Sequence, residues 1–185
     1  METTHAPAGT LDANFEFFEK DSEVFYLNLG QTHRFSELDV FYLDLLRDDL
    51  EAHPKALKAM EQNGIVDPVA QLKKWAICNF GDFDLKADMT EEGILIREHV
   101  HCSSRGCCAF EGIICQPILT DNGTITPREM QIIKLITRDM LDKQIADNLG
   151  ICNATVAVHI THIEHKIGCH SKAGITAFAF QNHIV

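Results

Sequence analysis

Two groups of residues in this chain have the types and spacing to do chemistry, and the first is a set of thiols. Cys102, Cys107, Cys108 and Cys115 fall within fourteen residues in the pattern C-x4-C-C-x6-C, with His99 and His101 just before them. Thiolates select zinc or iron–sulfur clusters, and a tetrahedral zinc site would tie together a segment too short to build its own core. The spacing matches neither a zinc ribbon nor a ferredoxin. Adjacent cysteines rarely both ligate one ion. The expected set is therefore Cys102, Cys115 and one of Cys107 and Cys108, with another thiol, His99 or His101 as the fourth ligand. Zinc is the first expectation for a cofactor, an iron–sulfur cluster or a redox-switched pair the second, and plain packing of the thiols the alternative. Cys78, Cys152 and Cys169 are isolated and read as small buried hydrophobes.

The second group lies between Lys143 and Lys172. Val156, Ile160, Ile163 and Ile167 stand at offsets of four, seven and eleven, one apolar stripe of a helix. The opposite side carries Ala154, Ala157, Val158, Thr161, His162 and His165. Small apolar groups such as Ala157 and Val158 can touch thymine methyls, and Thr161 or His162 can hydrogen-bond base edges or phosphates. Lys143, Lys166 and Lys172 are the cations placed to meet phosphates, helped by Thr155 and by a helix start capped at Asn153. This is the chemistry of a surface that reads double-stranded DNA.

Three short elements must hold that surface. Thr126-Pro127-Arg128-Glu129 is a capping box with proline at the first helical position, and Ile132, Ile133 and Ile136 continue it as a helix to about Thr137. A second helix, Asp142–Leu149, puts Ile145, Ala146 and Leu149 on one face and stops at Gly150. After Ile151-Cys152 comes the third helix, which spans 154–167 and ends at Gly168. Short helix, glycine turn, longer helix is a helix-turn-helix, whose second member enters the major groove.

In order along the chain, Ile125-Thr126-Pro127-Arg128-Glu129, Lys143-Gln144-Ile145-Ala146-Asp147-Asn148-Leu149-Gly150-Ile151, Thr155-Val156, Val158-His159, Lys166-Ile167-Gly168 and Ser171-Lys172-Ala173 resemble the LuxR-type (GerE-like) DNA-binding domain. The resemblance covers the last third of the chain only. It implies a four-helix unit whose third helix reads DNA and whose fourth, over Lys172–Gln181 here with Ile175, Phe178 and Ala179 as its apolar side, often pairs two copies, so that a homodimer is expected. The chain departs from the pattern at Ala157, where the family commonly has a basic residue.

Composition separates the two parts. Of 185 residues 45% are hydrophobic, enough for one domain or two small ones, and the net charge is −11. Residues 1–123 carry ten Lys/Arg against twenty-two Asp/Glu, whereas residues from Thr124 onward carry six against five. The acidic part is unsuited to a phosphate backbone. Residues 1–121 therefore read as a sensor or interaction region and 122–185 as the DNA-binding domain. Neither a long apolar run nor a secretory signal is seen, so a cytoplasmic protein without a membrane partner is expected.

In the acidic part, Val24–Leu29 suggests a strand ended by Gly30. Leu38, Phe41, Tyr42, Leu45, Leu46 and Leu50 suggest an amphipathic helix to about Ala52, restarted by Pro54 as far as Gln62. Asp67-Pro68 opens another, with Val69, Leu72, Trp75 and Ala76 inward, and Gly93–His101 alternates like a strand. No repeating strand–helix pattern supports a phosphoacceptor receiver. The fold class expected is mainly α, with a small α+β N-terminal region. No nucleophile–base set or cofactor fingerprint appears, so enzyme activity is not expected. The leading function is transcription regulation by sequence-specific DNA binding. The alternatives are a docking module for a partner such as RNA polymerase, and a metal- or redox-responsive regulator acting through residues 99–115.

Overall fold

The computed structural model describes residues 6–182 and Ile184. Packing divides the chain into two compact units, Met1–Val100 with Gly112–Gln116, and His101–Glu111 with Pro117–Val185. The described residues form seven α-helices and two small antiparallel sheets, and none of the helices is long and apolar enough to cross a membrane.

The first unit opens with a three-stranded meander: β1 (Glu16–Lys20), β2 (Glu23–Asn28) and β3 (Gln31–Arg34). Lys20 stands opposite Glu23 and Asn28 opposite Gln31, so each connection is two residues long. All four connecting residues, Asp21, Ser22, Leu29 and Gly30, have positive φ, the backbone that matches the twist of paired strands. The expected strand is thus the middle one of three. Three helices follow, α1 (Val40–Glu51), α2 (Pro54–Gln62) and α3 (Pro68–Phe80); α3 packs against β1, and α1 packs against α3 and α2. Asp39 and Asp67 cap α1 and α3 by accepting from the backbone N–H groups of Phe41 and Ala70. The ring of Phe17 meets those of Tyr26, Phe35 and Phe80 at centroid distances of 6.2–6.4 Å, making an aromatic core.

Three expectations for this unit need correction. Phe41 is 55% exposed, lying edge-on against Tyr42, and Val69 is 52% exposed, so both apolar stripes are narrower than their spacing suggests. Residues 93–101 do not form a strand. Their backbone donors go to scattered partners, Ile96 to the Asp88 carbonyl and Glu98 to the Asn79 carbonyl. Their side chains are drawn aside too: Arg97 pairs with Asp49 at 2.6 Å and lies 4.8 Å above the Trp75 ring. Ile94 and Ile96 are left facing water.

An acidic cluster is buried in the same unit. Glu16 accepts from the Asp84 N–H at 2.6 Å and Asp88 from the Phe17 N–H at 2.5 Å, while the other oxygen of each carboxyl is buried without a hydrogen-bond partner. Burial pushes the Glu16 carboxyl up to about 8. Burial and the neighbouring Glu16 push Asp88 up to about 10. Both groups therefore hold protons in the folded unit that the unfolded chain releases above its ordinary carboxylate range, near pH 4. Stability falls as pH rises from that range towards 10. Asp88→Asn keeps an acceptor for Phe17 without the charge, so it should raise the unfolding temperature at pH 8 and flatten its fall between pH 5 and 9. Fluorescence of Trp75, the single tryptophan, which is buried in this unit, reads the outcome.

The second unit holds a hairpin, β4 (Leu119–Thr120) and β5 (Gly123–Thr124), followed by α4 (Pro127–Ile136), α5 (Asp142–Leu149), α6 (Asn153–Ile167) and α7 (Lys172–Gln181). Ile132, Ile133, Ile145, Val156, Ile163, Ile175 and Ala179 are fully buried and bring the four helices around one core. Gly150 and Gly168 end α5 and α6 in the left-handed conformation, φ 63° and 69°, which costs a glycine nothing. The stretch His101–Glu111, read from the sequence as part of the acidic region, packs within this unit.

Candidate nucleic-acid interface

The stripe that buries α6 also decides what it leaves outside. Val156 and Ile163 are fully buried, with Ile160 nearly so and Ile167 partly. Ala154, Ala157, Val158, Thr161, His162 and His165 are exposed, Val158 at 53%, as their spacing requires. The Thr161 hydroxyl donates to the Ala157 carbonyl one turn back, which leaves its lone pairs turned outward as acceptors. Asn153 is exposed and Thr155 half-buried at the start of the helix, and Lys143 is exposed on α5. The exposed residues of α6 share its outward side, and Lys143 stands in the first turn of α5.

At the start of α6 the structure differs from the sequence reading. The helix begins at Asn153 itself, and Cys152 occupies the capping position. Its sulfur lies 3.0 Å from the Thr155 hydroxyl, and that hydroxyl, with the backbone N–H groups of the first turn, holds the thiol below its ordinary pKa. Cys152 is therefore exposed, not a packed hydrophobe. A cysteine two residues after the glycine turn could have suggested this, since the residue before a helix faces open N–H groups.

Lys166 has a different task from the one its position suggests. Its ammonium donates to the Thr124 carbonyl at 2.8 Å and to both oxygens of Glu129, at 2.9 and 2.7 Å. A lysine has three N–H donors, and all three are used. Glu129 is only 3% exposed and closes the capping box of α4, accepting from the Thr126 N–H and hydroxyl at 2.8 and 2.9 Å. Burial pushes the Glu129 carboxyl up, but Lys166 and the Thr126 groups outweigh it and hold the group below the usual carboxylate range. Lys172 forms an ion pair with Asp142 across α7 and α5, and both partners stay near 40% exposed. Such a pair exchanges readily with solvent or phosphate. Asn122 donates to the His165 carbonyl at 3.0 Å and so pins the far end of α6 to the hairpin. The Asp-Asn-Gly run just before the capping box signals the turn that carries Asn122, but not its distant partner.

The thiols are not assembled. All seven cysteines are free, and among the described residues no three His, Cys, Asp or Glu side chains gather as metal ligands. The expected set of Cys102, Cys107, Cys108 and Cys115, with His99 or His101, is thus not brought together. Successive turns, closed by hydrogen bonds from Arg105 to Cys102, Cys107 to Ser104 and Glu111 to Cys108, carry Cys102 and Cys107 outward. Arg105 is the buried side chain of the stretch instead.

An α5–turn–α6 pair packed across α4, with the outer side of α6 free, defines a helix-turn-helix unit. Residues 123–179 match the family described as bacterial regulatory proteins, luxR family. The C-terminal third of the chain is thus a LuxR-family helix-turn-helix domain. Among curated proteins, the chain is similar to the transcriptional regulatory protein MctR of Rhizobium johnstonii, 32% identical over 41% of this chain and 36% of that one. The nitrate/nitrite response regulator protein NarL of Escherichia coli is 36% identical over 35% of this chain and 30% of its own. The transcriptional regulatory protein LiaR of Bacillus subtilis is 24% identical over 80% of this chain and 77% of its own. The match thus spans about a third of MctR and of NarL. No solved structure matches the chain.

Removing the Glu129 charge should be costly, because Lys166 would then be left half-buried and unpaired. Glu129→Gln is expected to remove about 2–3 kcal/mol from the second unit at neutral pH, below the full value for a wholly buried pair. The contribution is present above the ordinary carboxylate range and is lost as pH falls through the lowered value. Wild-type stability should therefore drop in acid, while the variant's stability stays flat. Urea titrations followed through the Ile132 and Ile163 amide signals test both points.

Proposed function

We propose that this chain is a transcriptional regulator that binds double-stranded DNA sequence-specifically, with α6 in the major groove. The observation that carries the reading is the exposed face of α6, left unburied by a LuxR-family helix-turn-helix. Ala157 and Val158 meet thymine methyls, Thr161, His162 and His165 meet base edges or phosphates, and Asn153, Thr155 and Lys143 hold the flanking backbone. Lys172 joins them by exchanging Asp142 for a phosphate. Lys166 supports the surface from behind. Residues 122–185 supply the DNA contacts, and the acidic 1–121 region supplies a signal or partner. Two copies on two half-sites compensate for the few cations that each copy offers.

With Lys166 committed, each copy has Lys143 and Lys172 for phosphates. Each neutralised phosphate contributes about −0.9 to the slope of log K against log salt, so a slope of roughly −2 per copy is expected. Titration of a duplex selected from a random pool between 50 and 300 mM salt measures it. A slope steeper than −5 per copy would place the phosphate contacts elsewhere.

Thr161→Asp sets a negative charge against the groove while changing no buried contact. It should weaken binding to the selected duplex at least about 100-fold, the loss of one or two good base contacts, and leave the helical circular dichroism unchanged. Unaltered affinity would exclude α6 as the reading element, and failure of the wild type to enrich any sequence would favour a protein-docking module.

A further inference from the structure

The stretch 101–111 lies against α4 as a strap, and a line of hydrogen bonds runs from it to the turn between α5 and α6. Lys134 donates to the Ser103 carbonyl at 3.0 Å and to the Arg105 carbonyl at 2.8 Å. The Gln131 amide donates to the Gly106 carbonyl at 2.5 Å. Gly106, at φ 89°, fits so closely that an added Cβ would stand 3.2 Å from the Gln131 side chain and 3.3 Å from its backbone nitrogen. The other end of the Gln131 amide accepts from Arg128 at 2.8 Å, and the second Arg128 amino group donates to the Leu149 carbonyl at 2.9 Å. Leu149 is the last residue of α5, immediately before Gly150. Its carbonyl has no partner within the helix, so Arg128 is its cap. Gln131 thus links strap and turn: its nitrogen serves one and its oxygen the other.

The chain enters the strap from Val100 and leaves it at Gly112, both residues of the first unit. A displacement of either neighbour reaches the strap through covalent bonds. We propose that the 101–111 strap is a control element for the DNA-binding unit: lifted from α4, it unseats Gln131 and Arg128 and loosens the α5–α6 turn that presents the reading helix. An amide that has lost its strap carbonyl is free to rotate, and a rotated Gln131 no longer offers its oxygen to Arg128. The link to DNA rests on the function proposed above, whereas the relay does not.

Two substitutions in the full chain cut the strap side without touching Arg128. Lys134→Met removes both lysine bonds to strap carbonyls. Gln131→Glu removes the donor to Gly106 and keeps an acceptor for Arg128, so it separates the two halves of the relay. Hydrogen exchange read amide by amide at Gly150 and Ile151 reports the turn, and that at Ile175 and Ala179 reports the core. Lys134→Met should speed exchange at the turn roughly three- to tenfold, about the loss of one hydrogen bond, with the core amides unchanged. Gln131→Glu should do so by a smaller factor, because Arg128 keeps its partner. Arg128→Ala should match or exceed Lys134→Met, and the double variant Lys134→Met/Arg128→Ala should exchange no faster than Arg128→Ala alone. An unchanged turn in Lys134→Met, equal acceleration of turn and core, or additive effects in the double variant would each overturn the relay. Affinity for the selected duplex should fall in the same order as exchange rises. The exchange pattern without any wild-type DNA binding would leave the relay standing and remove the function proposed above.

Discussion

The C-terminal unit depends on one buried carboxylate. Glu129 ends the first turn of α4, yet it accepts from Thr126 in its own cap and from Lys166 at the far end of α6. Two helices distant in sequence are thereby fixed at a single point, and the third lysine bond, to Thr124, ties in the hairpin. A carboxylate only 3% exposed tolerates no loss of these partners. The consequence for function is direct: the cation nearest the end of α6 is withdrawn from the surface. What α6 offers outward is small apolar groups, a hydroxyl and imidazoles, a surface suited to groove contacts and poor in phosphate attraction.

The two units treat buried acid in opposite ways. Glu129 is kept charged by a matched set of donors, and its proton affinity is lowered. Glu16 and Asp88 each receive one backbone N–H and no cation, and burial raises their proton affinity instead. The same chemical group is a fixed anion in one unit and a proton store in the other, decided by the number of donors that face it. Acidification therefore weakens the second unit and strengthens the first.

Presentation of α6 depends on its neighbours as well as on its own stripe. The hairpin holds its far end through Asn122, and the turn at its near end is capped by Arg128, whose position follows from Gln131 and the strap. The cysteine-bearing stretch thus gains a role from its carbonyls. Its sulfurs face outward at Cys102 and Cys107, while Ser103, Arg105 and Gly106 supply the acceptors that α4 uses.

The last third of the chain was legible because its information is local. The Thr126–Glu129 box, the glycines at 150 and 168 and the isoleucine stripe each act within a turn or two, so the start of α4, the ends of α5 and α6 and the outward face of α6 follow from local signals alone. The middle strand of the first unit was equally readable. Its partners were not, because Asp21-Ser22 and Leu29 adopt positive φ without the glycine or asparagine that usually marks such turns. Residues 93–101 alternate like a strand, yet their pairing stops at one antiparallel bridge between Leu95 and Met89, and Arg97 is claimed by Asp49 and Trp75. The fate of Lys166 and the dispersal of the four thiols likewise lay beyond sequence. Each depends on a partner or a turn geometry that only the folded chain supplies. Spacing names the face on which a side chain emerges; the tertiary structure alone decides which charge, carbonyl or ring is waiting there.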